Sequence, residues 1–218
     1  NEKLVSIKQF TEFEFYDYDV IINCVGIADP AKIKNEHIML FNVTETIDNQ
    51  ILDYLKNNQK CLYINMSSGA VYGTNFFYPA VESMKNEIDV NNIKASNFYA
   101  ITKINSEAKH RAYAEYNIVD LRIFGYFSRF INLESSYLIN EIILSIKKSK
   151  CFKTNSEDIA RDYIHPKDLK QIIDKCMLKG SLNDVFDVYS LKPITKFELL
   201  DYFTKEYDLK YEIDNDII

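Results

Sequence analysis

Short apolar runs alternate with longer stretches of helical spacing in the first half of the chain. The run 19–26 is almost continuously apolar and ends at Gly26, as is typical of a strand buried on both faces of a parallel sheet. Apolar residues recur at helical spacing over 38–57, and a second apolar run follows at 61–66. The pattern therefore predicts a strand, a helix and a strand in this order.

The alternation continues after a polar and aromatic loop that extends from Ser67 to about Asn97. A helix is predicted over 98–115 and a strand over 118–123. Because each parallel crossover needs a covering helix, this order predicts an α/β protein with a doubly wound parallel sheet. Such sheets bind ligands beyond the carboxyl ends of their strands.

The pattern becomes less regular beyond Phe124, where we expect a small lobe interleaved with the last strands of the sheet. Four elements are predicted there: helices near 134–149, 166–178 and 196–206, and a short strand near 184–188. The chain shows no internal repeat or flexible linker that would mark a domain boundary.

Charge and cysteine content narrow the functional class. The 218 residues carry a net charge of −6 with scattered lysines, which excludes a broad basic surface for nucleic acid. No apolar stretch approaches the ~20 residues that cross a bilayer, and no signal-peptide pattern is present, so we expect a cytoplasmic protein.

Widely spaced cysteines without a CxxC pair predict buried free thiols: Cys24, Cys61, Cys151 and Cys176.

A Tyr-x-x-x-Lys motif lies on the predicted helix 98–115. The spacing places the Tyr99 phenol and the Lys103 ammonium on one face of the helix. A neighbouring positive charge favours the phenolate, so we expect Lys103 to lower the pKa of Tyr99 towards the operating pH. The phenol can then exchange a proton with an alcohol or ketone oxygen. Such a pair also arises by chance on solvated helices, so the motif needs support from elsewhere in the chain.

A pair of serines provides that support. Ser67 and Ser68 follow directly on the predicted strand 61–66 and precede the tyrosine helix. A hydroxyl at this position can bond the same substrate oxygen and share the charge that develops on it. The alternative is a strand-ending turn whose hydroxyls satisfy the local backbone.

In order and spacing, these motifs resemble the extended short-chain dehydrogenases/reductases, the NAD-dependent epimerase/dehydratase family. A strand ends in Ser67-Ser68, a helix carries Tyr99 to Lys103, and the next strand closes in Leu-Arg-Ile-Phe at 121–124. The segment Arg-Asp-Tyr-Ile-His-Pro-Lys-Asp-Leu at 161–169 resembles the RDYIHVxDL segment of the nucleotide-sugar branch. This last segment is the most specific of the signals.

The resemblance implies a Rossmann-like fold with a small carboxy-terminal lobe, NAD or NADP as cofactor, and a nucleotide-diphosphate sugar as substrate. Residues 1–125 would form the dinucleotide-binding core, and 126–218 the remaining sheet elements and the substrate-binding lobe. The implied catalytic residues are Ser68, Tyr99 and Lys103, and Arg161 would join Ser68 in binding substrate by pairing with the pyrophosphate. The implied cofactor-binding residues are Asn23, Val25, Gly26, Asn42, Ser67, Tyr99 and Lys103.

Departures from the family pattern narrow the reaction. Gly69 and Ala70 stand where 4,6-dehydratases carry Asp-Glu, and Ala70 also stands where GDP-fucose synthase-like enzymes carry a cysteine. These differences disfavour dehydration and two-base epimerisation and leave 4-epimerases, ketoreductases and simple dehydrogenases. Gly125 replaces an asparagine that many sugar-nucleotide epimerases have, which leaves 4-epimerase and 4-ketoreductase, in surface polysaccharide synthesis, equally open. Family members commonly dimerise through the helices corresponding to 40–57 and 98–115, which predicts a homodimer.

The glycine-rich phosphate loop of the family is not found in the 218 residues. We expect that roughly fifty residues with two strands and this loop precede Asn1. The alternative is a natural truncation, which would leave a catalytically silent binding or regulatory protein. A cofactor-binding sensor is a third hypothesis, and the retained Ser68, Tyr99 and Lys103 argue against it.

The three histidines are predicted to have no catalytic role. His37 and His110 lie in polar, helix-like contexts, so we predict solvated side chains for both. The resemblance implies that His165 contributes to packing before the following helix.

Overall fold

The elements of this computed structural model alternate between strands and helices along the chain, and the structure describes residues 16–73, 80–81 and 83–214. In chain order they are β1 (Val20–Asn23), α1 (Pro30–Asn35), α2 (His37–Asn57), β2 (Leu62–Ser68), a short 3-10 helix (Gly69–Tyr72), α3 (Ala95–Ala112), β3 (Ile118–Ile123), α4 (Leu138–Lys147), β4 (Phe152–Thr154), β5 (Ala160–Arg161), α5 (Pro166–Leu178), β6 (Asn183–Val188), β7 (Ile194–Thr195), α6 (Lys196–Tyr207) and β8 (Tyr211–Ile213).

Four parallel strands form the central sheet in the order β1-β2-β3-β6. Val20 pairs with Leu62, and Ser68 pairs with Ile123, so β2 and β3 end at the same edge of the sheet. The α/β class with a parallel, Rossmann-like sheet predicted from the sequence is confirmed. The strand predicted over 118–123 and the helix over 166–178 have the predicted bounds.

Helices cover both faces of the sheet because its strands are apolar on both sides. On one face, Tyr63 and Ile118 pack against α2 residues such as Ile51. On the other face, Leu62, Ile64 and Val119 belong to a cluster that the helix α5 covers. Successive residues of β2 alternate between the two clusters, as the side-chain alternation of a strand requires.

The carboxy-terminal part of the chain has its own small core. Its buried residues are Ile142, Phe152, Leu199, Leu200 and Leu209. Two short pairs of strands border this lobe: β4 is parallel to β8, and β5 is antiparallel to β7. The strand β6, which comes late in the chain, returns to the central sheet beside β3.

The hydrophobic pattern does not indicate the shorter elements. The helix α1, the 3-10 helix and the strands β4, β5, β7 and β8 are too short to show a period. The predicted loop 67–97 begins with the last two residues of β2 and the 3-10 helix, and its residues 74–79 and 82 lie outside the described part.

All four cysteines are free, but only two are buried. Cys61 and Cys176 are buried as predicted, whereas Cys24 and Cys151 are exposed. The prediction was wrong for these two because they lie just outside regular elements, beyond β1 and before β4, where the core does not enclose them. In the described ranges, none of the helices has the length and apolarity that crossing a membrane requires.

Candidate active site at the carboxyl edge of the sheet

The structure brings Ser68 and Tyr99 together. Ser68 is the last residue of β2, and its hydroxyl oxygen accepts a hydrogen bond from the Ala70 amide at 3.2 Å at the start of the 3-10 helix. Tyr99 lies in the first turns of α3, and the Ser68 hydroxyl is near enough to its phenol to lower the pKa of that group. Both residues are half-buried, so the two hydroxyls form a partly accessible pair at the carboxyl edge of the sheet.

Lys103 lies one helical turn after Tyr99 and is buried. Its ammonium donates a 3.0 Å hydrogen bond to the carbonyl oxygen of Met66 and lies 5.8 Å from the centre of the Tyr99 ring. Burial lowers the pKa of Lys103, while the charges of Asp120 and Asp48 oppose this effect. Lys103 therefore connects α3 to the backbone of β2.

The pKa of Tyr99 is shifted in the opposite direction to the one that we predicted from the sequence. Burial of the phenol raises this pKa above its usual value of about 10, and the hydrogen bond with Ser68 lowers it in part. We expected Lys103 to lower it, but the ammonium is bonded to the Met66 carbonyl instead of the phenol oxygen. Desolvation thus outweighs the lowering effect of Ser68 on this pKa.

The segment after β1 is close to this pair. Asn23 is buried, and its side-chain amide donates to the Tyr63 hydroxyl at 2.9 Å while its carbonyl oxygen accepts from the Val25 amide at 2.9 Å. Gly26 is exposed, and a Cβ atom there would lie 3.7 Å from the Lys103 ammonium. The backbone of 23–26 therefore passes beside Lys103.

The remaining predicted site residues have different surroundings. Ser67 is buried, and its hydroxyl donates to Glu107 at 2.6 Å, so its side chain bonds to α3. Asn42 is exposed on α2. Arg161 is exposed on β5, and its guanidinium donates to the carbonyl oxygen of Ala160 at 3.2 Å.

An arginine that the sequence indicated only as part of the Leu-Arg-Ile-Phe motif organises the edge of the sheet. The Arg122 guanidinium donates to both carboxylate oxygens of Glu107 at 2.7–3.1 Å and to the Tyr72 hydroxyl at 2.8 Å. The Tyr72 hydroxyl in turn donates to Asp187 at 2.8 Å. These bonds connect α3, β3, the 3-10 helix and β6 behind Ser68.

Close contacts, one with a side chain and one with backbone, explain two glycines that depart from the family pattern. A Cβ atom at Gly69 would lie 2.5–2.8 Å from the Phe124 ring, which occupies the space of a side chain there. A Cβ atom at Gly125 would clash with the carbonyl oxygen of Asp162, and the Gly125 carbonyl accepts a 3.0 Å bond from the Ile164 amide. The segment that leads from Arg161 to α5 therefore packs directly on residue 125.

We expect Gly125→Ala to destabilise the protein by about 1–3 kcal/mol or more, because the clash is with backbone that must move as a whole. Gly26→Ala is the matched control, since its Cβ would make only an ordinary contact at 3.7 Å. Urea unfolding of both variants measures the difference. Equal free energies of unfolding for the two variants would show that the contact between Gly125 and Asp162 can accommodate a Cβ atom.

A buried ionic cluster lies deeper on the same face of α3, and the sequence analysis missed it. His110 is completely buried, with Nδ1 2.8 Å from Asp120 and Nε2 2.8 Å from Asp48. The prediction of a solvated side chain was wrong. These two carboxylates raise the pKa of His110 to about 9 against the opposing effect of burial, so the imidazole is charged at neutral pH.

Helical spacing could have indicated this cluster. His110 follows Tyr99, Lys103 and Ser106 at intervals of four, three and four residues, which is one face of α3. The second signal is Asp120, a carboxylate within the apolar strand β3, which must have a buried partner. His37 is only partly solvated, since it is half-buried with its ring 5.1 Å from the Phe98 ring.

The resemblance implied a packing role for His165, whereas the structure shows an exposed side chain that caps a helix. Its side chain caps the first turn of α5 by accepting a 3.2 Å bond from the Lys167 amide. In the described part of the chain, no cluster of three or more histidine, cysteine or acidic residues is arranged to hold a metal ion.

The parallel sheet with helices on both faces, and a Ser-Tyr-Lys set at its carboxyl edge, define a Rossmann-like protein of the short-chain dehydrogenase/reductase type. The chain belongs to the NAD-dependent epimerase/dehydratase family, whose sequence model matches residues 5–191. A comparison with curated protein sequences found no match.

Solved structures share this fold at low sequence identity. A UDP-N-acetylglucosamine 4-epimerase from Methanobrevibacter ruminantium M1, in complex with UDP-N-acetylmuramic acid, is 22% identical with a TM-score of 0.76, over 93% of this chain and 66% of its own. A UDP-glucose 4-epimerase from Thermotoga maritima with UDP-glucose is 18% identical with a TM-score of 0.78, over 93% and 67%. RMD from Pseudomonas aeruginosa, complexed with NADPH, is 16% identical with a TM-score of 0.72, over 90% and 69%. The chain thus spans about two thirds of the length of these proteins.

Proposed function

We propose that this chain is part of an NAD(P)-dependent enzyme that acts on a nucleotide-diphosphate sugar as a 4-epimerase or 4-ketoreductase. The observation that carries the proposal is the proximity of Ser68 to the Tyr99 phenol, with Lys103 one turn further along α3. Two neighbouring hydroxyls at one edge of the sheet can both bond one substrate oxygen. Membership of the family supports the same class of reaction.

In this proposal, the residues of the chain move and hold a proton at the sugar oxygen. The Tyr99 hydroxyl accepts the proton from an alcohol, or donates it to a ketone, while Ser68 bonds the same oxygen. The bound nicotinamide supplies the chemistry of hydride transfer. Burial keeps Tyr99 protonated when the site is empty, which suits donation to a ketone.

The surroundings of Lys103 fit the nicotinamide and ribose end of a dinucleotide. Gly26 presents exposed backbone beside the ammonium, and an added Cβ would occupy part of that space. We assign Asn23, Val25, Gly26, Asn42, Ser67, Tyr99 and Lys103 to this half of the cofactor. Asn23 and Ser67 would act through the backbone they hold, because their side chains are buried in internal hydrogen bonds.

Arg161 is the proposed ligand of the substrate pyrophosphate. Its guanidinium is exposed and makes a single described bond, to a backbone carbonyl, so it can turn to phosphate oxygens. The further proposals are a homodimer formed through α2 and α3, and a cytoplasmic role in the synthesis of surface polysaccharide sugars.

Binding and turnover by the full-length protein test the function. We expect NADH or NADPH to bind saturably in a fluorescence titration, and one class among UDP-, GDP-, CDP- and dTDP-sugars to be converted in a mass-spectrometric screen. An epimerase would give an isomer of unchanged mass without net use of cofactor, whereas a ketoreductase would consume one reduced cofactor per product. Absence of both binding and turnover would favour a catalytically silent protein.

A further inference from the structure

The Asn23 side chain determines the path of the segment after β1. Its carbonyl oxygen accepts from the Val25 amide and its nitrogen donates to Tyr63, both at 2.9 Å, so the amide plane is held at both ends. Since Asn23 is buried, breaking either bond would leave a polar atom without water as a substitute. The backbone that reaches Gly26 therefore depends on what holds Tyr63.

Tyr63 is held by a carboxylate that is part of the buried cluster. It is completely buried, and its hydroxyl donates to Asp48 at 2.8 Å while it accepts from Asn23. Asp48 is ionised because both of its oxygens face donors, Oδ1 facing Tyr63 and Oδ2 facing the Lys109 ammonium. His110 ensures that state, because its Nε2 donates to the same carboxylate oxygen as Tyr63 at 2.8 Å.

Charged groups from three elements surround His110. Asp120 of β3 accepts from Nδ1 of the ring and from the side-chain amide of Asn65 at 2.8 Å. Lys109 lies 2.6 Å from the second oxygen of Asp48, and Arg111 lies 3.0 Å from the second oxygen of Asp120. Because both ring nitrogens face carboxylates, both must donate, and the direction of every hydrogen bond in the series is determined.

We propose that Asp48, Tyr63 and His110 are positioning residues that hold Asn23, and with it the backbone of 23–26, in the conformation that receives the cofactor. This inference rests on the proposed function, which assigns that segment to the cofactor. The series runs from the Val25 amide through Asn23, Tyr63 and Asp48 to His110. None of the three positioning residues needs to touch the cofactor or the reacting oxygen.

Tyr63→Phe tests the series of hydrogen bonds at the residue that links Asn23 to Asp48. The variant removes one hydroxyl and leaves the Asn23 amide without its acceptor. We expect the Kd for NADH or NADPH to rise about tenfold, with kcat at saturating cofactor and the KM for the sugar nucleotide unchanged. A residue that only stabilises the fold would not produce this selective change in cofactor binding.

Tyr54→Phe is the matched control. Tyr54 is a buried tyrosine of the same hydrophobic cluster, and its hydroxyl accepts from the Tyr18 amide at 2.9 Å and donates to the Tyr16 carbonyl oxygen. We expect this variant to lose comparable stability without any change in the cofactor Kd. Equal Kd values in Tyr63→Phe and the wild type would overturn the positioning role.

Amide hydrogen exchange at Val25 gives a readout that needs neither cofactor nor turnover. We expect faster exchange in Tyr63→Phe, and also in Asp48→Asn should the first variant fold poorly, but not in Tyr54→Phe. Unchanged exchange in Tyr63→Phe and Asp48→Asn would reject the series. Failure of the wild-type protein to bind either dinucleotide would reject the proposed function. Faster exchange at Val25 in Tyr63→Phe would in that case still support the series of hydrogen bonds, so the two failures are distinguishable.

Discussion

Replacing Tyr99 by phenylalanine is expected to lower kcat by about 10²- to 10⁴-fold, the usual contribution of a positioned acid or base. The variant removes the hydroxyl that lies near Ser68 and retains a half-buried ring on α3. Folding and binding of the sugar nucleotide should therefore persist. Steady-state kinetics with the converted sugar, together with circular dichroism and cofactor titration, measure the three properties separately.

Tyr113→Phe is the control for this substitution. Tyr113 follows directly on the carboxyl end of α3 and packs against the hydrophobic cluster of α2, so it lies at the opposite end of the helix from Tyr99. We expect wild-type turnover for it. If Tyr99→Phe also retained full turnover, another group would have to move the proton, and the assignment of the Ser68 and Tyr99 pair would be wrong.

Raising the pH from 6 to 10 is expected to remove about 3 kcal/mol from the free energy of unfolding through His110. The pKa of this histidine rises from 6.5 in the unfolded chain to about 9 in the folded protein. The stabilisation is therefore fully present below pH 6.5 and is lost as the pH rises through about 9. Urea unfolding at several pH values in this interval measures the slope.

The variant His110→Gln identifies the source of that slope. It leaves Asp48 and Asp120 buried without the imidazolium, which we expect to cost about 3–5 kcal/mol at pH 6 and to flatten the dependence on pH. His165→Gln is the control, because His165 is exposed at the start of α5. A variant His110→Gln that kept the wild-type slope would show that other groups titrate in this range.

The sequence predicted the main elements because their signals are local. The apolar runs of β1, β2 and β3 and the helical spacing of α2 and α3 arise from residues a few positions apart. The motif at Ser68, Tyr99 and Lys103 was found for the same reason, since a strand end and one helical turn bring these types within reach. The structure then places the Ser68 hydroxyl near the Tyr99 phenol.

The buried cluster could not be predicted in the same way. Asp48, His110 and Asp120 come from α2, α3 and β3, and Asp48 and His110 are 62 positions apart. The helical spacing puts His110 on the same face of α3 as Lys103. Only the packed structure shows which carboxylates contact the imidazole. The close contact of Gly125 with Asp162 likewise joins two loops that have no periodic pattern.

The amino-acid sequence by itself determined the order of strands and helices, the parallel sheet, and the Ser68, Tyr99 and Lys103 set, because spacing along a regular element decides which side chains share a face. The tertiary structure alone decided the charge of His110, the raised pKa of Tyr99 and the glycine at 125. These properties depend on desolvation and on distances between elements that are remote in the chain, and neither quantity exists until the elements have packed.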